Sequence, residues 1–373
     1  MISADIFTSQ KCGVYVHIPY CKSKCAYCAF VSGCDFDTQE RYVRSLLREI
    51  RCFSGKNIVA DTVYIGGGTP SCLYRGGIES IISAIRDSFC VSADAEITVE
   101  ANPESCDVSF SDEIKSAGVN RVSIGLQSAN DDVLAKIGRI HTKADFVKAV
   151  DVLQCKGIDN ISSDIILGLP GETRNDVESG IELLSRCCAH ISMYALSVEE
   201  GTPLYTSGYL PDDDITADMY EFACNLLENK GFFRYEVSNF AKIGKESKHN
   251  RKYWTMQPYI GIGVAAHGYD GKRTRYYHAD VMTNYLTDGG VVEVKLSESD
   301  LYNEYIMLAL RTERGIDESD FASRFGYSFF DRNAEMAEKY IKLGVVERNG
   351  GRIRIAPNKM FVMNGIIEDF MLD

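Results

Sequence analysis

Cys21, Cys25 and Cys28 fall within eight residues of one another, directly after the apolar run Val14–Pro19. A cubane iron–sulfur cluster normally takes four cysteine thiolates, so a tight group of three leaves one iron free to bind another molecule. An open iron points to catalysis or substrate binding. The competing reading is zinc, but structural zinc sites close with four ligands, usually in two separated pairs, and no second C-x2-C pair follows in this chain. A disulfide is the weakest of the three readings.

Further along, several phrases place polar or side-chain-free residues where apolar runs end. Gly66-Gly67-Gly68-Thr69-Pro70 lets backbone groups approach a ligand closely and ends on a rigid residue, although a glycine run can also be a simple turn. Glu100-Ala101-Asn102-Pro103 presents a carboxylate and an amide. Burial would oblige Glu100 to meet a ligand hydroxyl or a cation, unless it merely caps a helix. Ile124-Gly125-Leu126-Gln127-Ser128 ends in the same polar manner. Arg139, in Gly138-Arg139-Ile140-His141-Thr142, suits a carboxylate, although alone it reads as a solvated charge. Asp164 interrupts an apolar run and has to be satisfied by a neighbour or a ligand. In His249-Asn250-Arg251-Lys252-Tyr253-Trp254, an imidazole able to ligate heme iron stands beside flat aromatic surface, including the only tryptophan. The alternative is a hydrogen-bonded histidine at a domain junction.

Positioning these residues requires strands whose ends meet at one rim. Short β-rich runs at Val14–Pro19, Thr62–Gly66, Glu96–Glu100, Arg121–Gly125, Asn160–Ile166 and His190–Leu196 alternate with amphipathic helical stretches, the rhythm of a parallel sheet. Within Arg41–Ile50, for example, Tyr42, Val43, Leu46, Leu47 and Ile50 share one helical face. Six such units predict an α/β fold: a partial (β/α)6, TIM-like barrel over residues 1–210, with chemistry at the carboxyl ends of its strands and a lateral opening for a bulky substrate. Full eight-fold closure remains an alternative. An α+β extension follows over 211–298. Residues 299–373 read as three helices, Tyr302–Arg311, Asp317–Phe325 and Arg332–Leu343, and a hairpin around Asn349-Gly350-Gly351, which together make a winged-helix-like domain. Its acidic and basic residues balance, so docking or lid duty is expected and nucleic-acid binding is not.

The 373 residues suffice for a large core and a smaller second one. A net charge of −13 argues against a phosphate-coating role. No signal segment or membrane-length apolar run is evident, and thirteen cysteines without paired spacing fit a reducing compartment, so a cytoplasmic protein is expected. The cysteines outside the trio read as small buried hydrophobes.

The spacing C-x3-C-x2-C, with Tyr27 and Phe30 beside it, resembles the cluster loop of the radical S-adenosylmethionine (SAM) superfamily. Together, His17-Ile18-Pro19-Tyr20-Cys21, Gly66–Ser71, Glu100–Pro103, Ile124–Ser128, Gly138–His141 and Asp164 with Gly168-Leu169-Pro170 resemble the oxygen-independent coproporphyrinogen III oxidase group, and within it the branch of heme chaperones. The resemblance implies a [4Fe–4S] cluster on Cys21, Cys25 and Cys28. It implies SAM contacts by Tyr15, Gly67, Gly68, Thr69, Glu100, Gln127, Arg139 and Asp164, and heme near His249. It also implies heme-acceptor proteins as partners and an electron donor such as flavodoxin or ferredoxin; peripheral membrane contact stays open. Two features favour the chaperone branch. The oxidases carry a further cysteine where this chain has Phe30, and only twenty residues precede Cys21, so an N-terminal extension that covers substrate in the oxidases is expected to be missing. The enzymatic alternative is oxidative decarboxylation of coproporphyrinogen III, and whether SAM is cleaved stays open.

Overall fold

A computed structural model describes residues 4–287 and 290–372. Six parallel strands, β1 (Lys11–Ile18), β2 (Val59–Gly67), β3 (Cys90–Ala101), β4 (Arg121–Gln127), β5 (Ile161–Leu167) and β6 (His190–Ala195), lie side by side in chain order. Helices cross over between them, among them Gln39–Arg51, Gly77–Ser88, Val108–Ser116, Lys143–Cys155 and Arg174–Cys187. Parallel pairing demands such crossovers, and each helix buries an apolar face on the sheet. On Gln39–Arg51 that face is Tyr42, Val43, Leu46 and Ile50, all buried.

Alternation along the strands explains the layering. One set of positions, Val14, Val16, Val63, Ile65, Ile97, Val99, Val122, Ile124, Ile191 and Met193, belongs to the main apolar core shared with the helices. The other set lines up in polar rows across the register. Tyr15 pairs with Tyr64, Tyr64 with Thr98 and Thr98 with Arg121; further along the strands Glu100 pairs with Ser123, Ser123 with Ser162, and Ser162 with His190. Since successive side chains alternate faces, a polar interior and an apolar outer layer follow from one period-two pattern.

The barrel stays open. Beyond β6 come the antiparallel β8 (Asn239–Ala241) and β7 (Phe233–Arg234); beyond β1 come β9 (Tyr259–Ile262), parallel to it, then antiparallel β10 (His267–Tyr269), β11 (Thr274–His278) and β12 (Val291–Lys295). The extension therefore adds strands to both margins of the six-stranded unit, and among the described residues β7 and β12 remain unjoined. The six-unit, incomplete barrel is the architecture found.

Helices Glu298–Ala309, Glu318–Phe325 and Phe329–Lys342, with β13 (Ile316–Asp317), β14 (Val346–Asn349) and β15 (Arg352–Ile355) ordered β13-β15-β14, form the winged-helix-like unit. Its core of Tyr302, Tyr305, Phe321 and Phe329 continues into Met256, Tyr259 and Tyr269 of the extension, which seats it on the barrel.

Candidate functional site at the barrel mouth

The cysteine loop leaves the carboxyl end of β1 and is held at several points. Cys21 N–H donates to the Gly33 carbonyl at 3.0 Å, Gly33 N–H donates to Pro19 at 2.9 Å, and Ala26 N–H donates to Ile137 at 2.9 Å. Beneath it, His17 accepts a 3.0 Å bond from the Tyr15 hydroxyl at Nδ1, which leaves Nε2–H to donate to the Val31 carbonyl at 2.9 Å. The loop is thus fastened to the strand it follows.

All three thiols face one cavity of about 660 Å³, shared with Gly67, Gly68, Thr69, Glu100, Asn102, Ser123, Gln127, Arg139 and Asp164. A continuous polar chain joins two of the cysteines: Thr69 Oγ1 donates to Cys21 Sγ at 3.4 Å, Asn102 Nδ2 to Thr69 Oγ1 at 3.1 Å, and Arg139 Nη1 to both Asn102 Oδ1 at 3.2 Å and Cys25 Sγ at 3.7 Å. The Thr69 hydroxyl favours the Cys21 thiolate that metal ligation requires, working against burial, which pushes the Cys21 and Cys28 thiols up.

The glycines earn their places sterically. A Cβ on Gly67, whose φ is +113°, would stand 2.5 Å from the His17 ring, and one on Gly68 would stand 2.8 Å from the Tyr20 carbonyl oxygen. Only bare backbone lets the phrase lie against β1, where Gly68 and Thr69 N–H donate to Ile18 and Tyr20 at 2.7 Å each. A Cβ on Gly125 would meet Arg139 Nη2 and Gln127 Nε2 at 2.4 Å each, so this glycine makes room for two of the proposed contacts. Gln127 itself adopts φ +69°, an uncommon conformation for a residue with a side chain. Its Oε1 is buried and, among the described residues, without a hydrogen-bond partner. An orphaned acceptor on a cavity wall fits a ligand donor.

The carboxylates are tuned by their surroundings. Glu100 accepts from the Tyr64 hydroxyl at 2.7 Å and from Gly67 N–H at 3.0 Å, yet burial lifts its pKa to about 7, with the Asp164 charge adding to the rise. Asp164 is also raised, chiefly by burial, against a Ser192 hydrogen bond and the Arg139 and Arg121 charges. Both acids sit where a cationic or hydroxyl-bearing ligand would favour their ionised forms.

Two sequence expectations find a different setting. Tyr15 does not line the cavity among the described residues; it supports His17, with its ring against Tyr64 and His249. His249 is only 1% exposed at the opposite end of the barrel, where Nδ1 is 2.8 Å from Thr62 Oγ1 and Nε2 is 2.8 Å from the Tyr253 hydroxyl. Burial lowers its pKa to about 3, with Lys252 and Arg121 adding to the fall. Neither nitrogen is presented to an iron, because both are engaged inside the barrel; the hydrogen-bonded junction histidine is the role the geometry gives it. Two residues escape the sequence reading: Tyr64, which holds Glu100, and Ser123 on the cavity wall, whereas Tyr194 lies in the polar end of the sixth strand that the sequence does show. Their signal was the polar alternation inside strands that read as apolar runs.

A parallel six-unit barrel with a three-cysteine loop and a glycine cradle at its carboxyl rim defines a radical SAM protein. The Radical SAM superfamily profile matches residues 15–184 and the HemN C-terminal domain profile matches residues 296–362. Heme chaperone HemW of Lactococcus lactis is 34% identical over 96% of this chain and 97% of its own length, and that of Bacillus subtilis is 32% identical over 96% and 98%. In the bovine mitochondrial radical S-adenosyl methionine domain-containing protein 1, 36% identity spans 83% of this chain and 75% of the relative. The chain belongs to the HemW family. Among solved structures, coproporphyrinogen III oxidase (HemN) from Escherichia coli shares the fold with a TM-score of 0.83 at 18% identity, covering 99% of this chain and 92% of that one. Superfamily membership implies a [4Fe–4S] cluster and SAM, and the thiol trio, the orphaned Gln127 oxygen and the Gly67–Gly68 cradle fit both. No helix among the described residues is long and apolar enough to cross a membrane.

Proposed function

We propose that this protein is a heme chaperone: it binds heme and hands it to acceptor proteins, while Cys21, Cys25 and Cys28 hold a [4Fe–4S] cluster whose open iron takes SAM. The observation that carries this reading is the end-to-end identity of 34% with a heme chaperone. Gly67, Gly68, Thr69, Glu100, Gln127, Arg139 and Asp164 are assigned to SAM, Arg139 by its guanidinium and Glu100 by its tunable charge. Phe30, 69% exposed on the cavity rim where the oxidases place another cysteine, supports carrier over oxidase. When bound, the cluster would supply one electron at a time, drawn from a flavodoxin or ferredoxin. The reading places the protein in the cytoplasm.

The test is anaerobically reconstituted protein supplied with reductant and SAM, then with heme or coproporphyrinogen III. Expected are a shifted heme absorbance, transfer of that heme to an added heme-free globin, and no protoporphyrinogen IX. Turnover to protoporphyrinogen IX would replace the chaperone with an oxidase.

A further inference from the structure

Thirteen cysteines are spread along the chain, and only Cys187 and Cys188 are adjacent. They stand where the helix Arg174–Cys187 ends, just before β6 begins at His190. This is the amino-terminal end of the strands, the floor of the barrel, opposite the cysteine loop. Their sulfurs lie 3.8 Å apart, against about 2.0 Å in a disulfide, so modest side-chain rotations would join them. Cys188 is buried, and its N–H donates to the Leu184 carbonyl at 2.8 Å to close the helix, whereas Cys187 is only half-buried and open in part to solvent.

A helix carboxyl end is a poor place for a thiolate, because its free carbonyls concentrate negative charge. Lys242 offsets this: its Nζ donates to the Ser185 carbonyl at 3.4 Å, and its charge reaches both thiols. The Cys187 thiol is held below its ordinary pKa, first by the hydrogen bond from Cys188, against burial, and then with help from Lys242. That same contact, together with burial, pushes Cys188 well up. Every other thiol whose value shifts among the described residues rises. The pair therefore divides the labour of thiol–disulfide exchange, with a reactive outer sulfur and a protonated inner one beside it.

We propose that Cys187 and Cys188 are a redox modification site, which low-molecular-weight disulfides such as oxidised glutathione convert to a vicinal disulfide. The Cys187 thiolate attacks one sulfur of oxidised glutathione; a protein–glutathione bond forms, the glutathione disulfide breaks, and one glutathione thiolate leaves. That thiolate takes the proton of Cys188, whose sulfur attacks Cys187 Sγ and displaces the second glutathione thiolate, which is protonated from solvent. Two protein thiols are oxidised and one glutathione disulfide is reduced to two thiols. Neighbouring residues hold their Cα atoms about 3.8 Å apart, short of the roughly 4.4–6.8 Å that disulfides usually span. The product is accordingly strained and easily reduced, so it forms only when the thiol pool turns oxidising and reverses afterwards.

The experiment treats anaerobically reconstituted protein with oxidised glutathione, blocks the remaining thiols with iodoacetamide, and reads each cysteine by peptide mass spectrometry. The peptide carrying the pair should become two hydrogens lighter, with neither an alkyl group nor glutathione on it, and dithiothreitol should make both sulfurs alkylatable again. Iron and sulfide content should not change. Cys188→Ser should stop at a mixed glutathione disulfide on Cys187, and Cys187→Ser should leave the buried Cys188 unmodified; the wild-type peptide map decides the matter alone if either variant misfolds. A wild-type Cys187 that keeps its glutathione overturns the site. So does a bond from Cys187 to Cys155, at the end of the adjacent helix whose Gln154 donates to the Cys187 carbonyl at 3.4 Å. A pair that stays alkylatable while the exposed Cys34, Cys52, Cys90 and Cys155 react, or while iron is lost from the cluster, overturns it equally.

Discussion

Glu100 shows how one side chain reports on the site. Its folded pKa of about 7 lies above the ordinary 4.5, so the folded chain keeps a proton that the unfolded chain releases. By linkage, the stability this group contributes is present below about pH 4.5 and is lost as pH rises through 7. Glu100→Gln removes the proton but keeps groups able to meet Tyr64 and Gly67. Between pH 5 and 8 the thermal midpoint of cofactor-free wild type should therefore fall relative to that of Glu100→Gln. A difference between the two curves that stays constant with pH would mean the carboxyl is ionised throughout. What could and could not be read in advance follows: a polar residue at the end of an apolar strand marked Glu100 as functional, but its protonation depends first on burial, then on the opposing Tyr64 hydrogen bond and the Asp164 charge, all of which exist only in the folded sheet.

At the scale of elements, the six strands were legible because each ends in a polar or glycine phrase, and the helices because their apolar faces recur at helical spacing. Strand margins were placed short: β3 begins at Cys90, although only Glu96–Glu100 reads as strand-like, because the Cys90–Asp94 stretch is drawn in by pairing Cys90 and Val91 with Val59 and Ala60. The helix Lys248–Trp254 was legible as a phrase but not in its orientation. Glu96 accepts from the Lys248 and His249 N–H groups at 3.2 and 3.0 Å, an acidic cap that turns His249 inward onto Thr62 and Tyr253. Such a cap joins residues about 150 positions apart, a distance no local pattern encodes. His249→Ala should accordingly act as a structural lesion. It strips partners from two buried hydroxyls, each costing about 1–3 kcal/mol, and should lower the thermal midpoint by several degrees while iron and sulfide content stay at wild-type levels. A variant with a native midpoint but a changed heme spectrum would return the imidazole to the iron.

Considered whole, the molecule carries clusters of polar and charged residues at both ends of its barrel. The thiols, the glycine cradle and Arg139 gather at the carboxyl rim, whereas Arg251, Arg314 and Trp254 gather at the floor. Eight residues of β1 separate them, which at about 3.3 Å each gives roughly 25 Å. The interior between is not inert: His249 stacks near Tyr64 with centroids 5.3 Å apart, Tyr64 donates to Glu100, and Glu100 accepts from Gly67 N–H. A continuous set of buried contacts thus runs from the floor helix to the glycine cradle, the physical connection through which occupancy at one end could bias the other. The separation itself is measurable. With the cluster reduced and a copper-substituted porphyrin bound, pulsed dipolar spectroscopy should give an electron–electron distance of roughly 25 Å, set by the strand length, where the porphyrin lies against Lys248–Trp254. A porphyrin lying over the cysteine loop would instead sit within about 10–15 Å, only three or four strand residues from the cluster. That shorter distance would put cargo and cofactor in one chamber and make direct chemistry between them the simpler account; the longer one would keep them apart, joined through the buried contacts from His249 to Gly67.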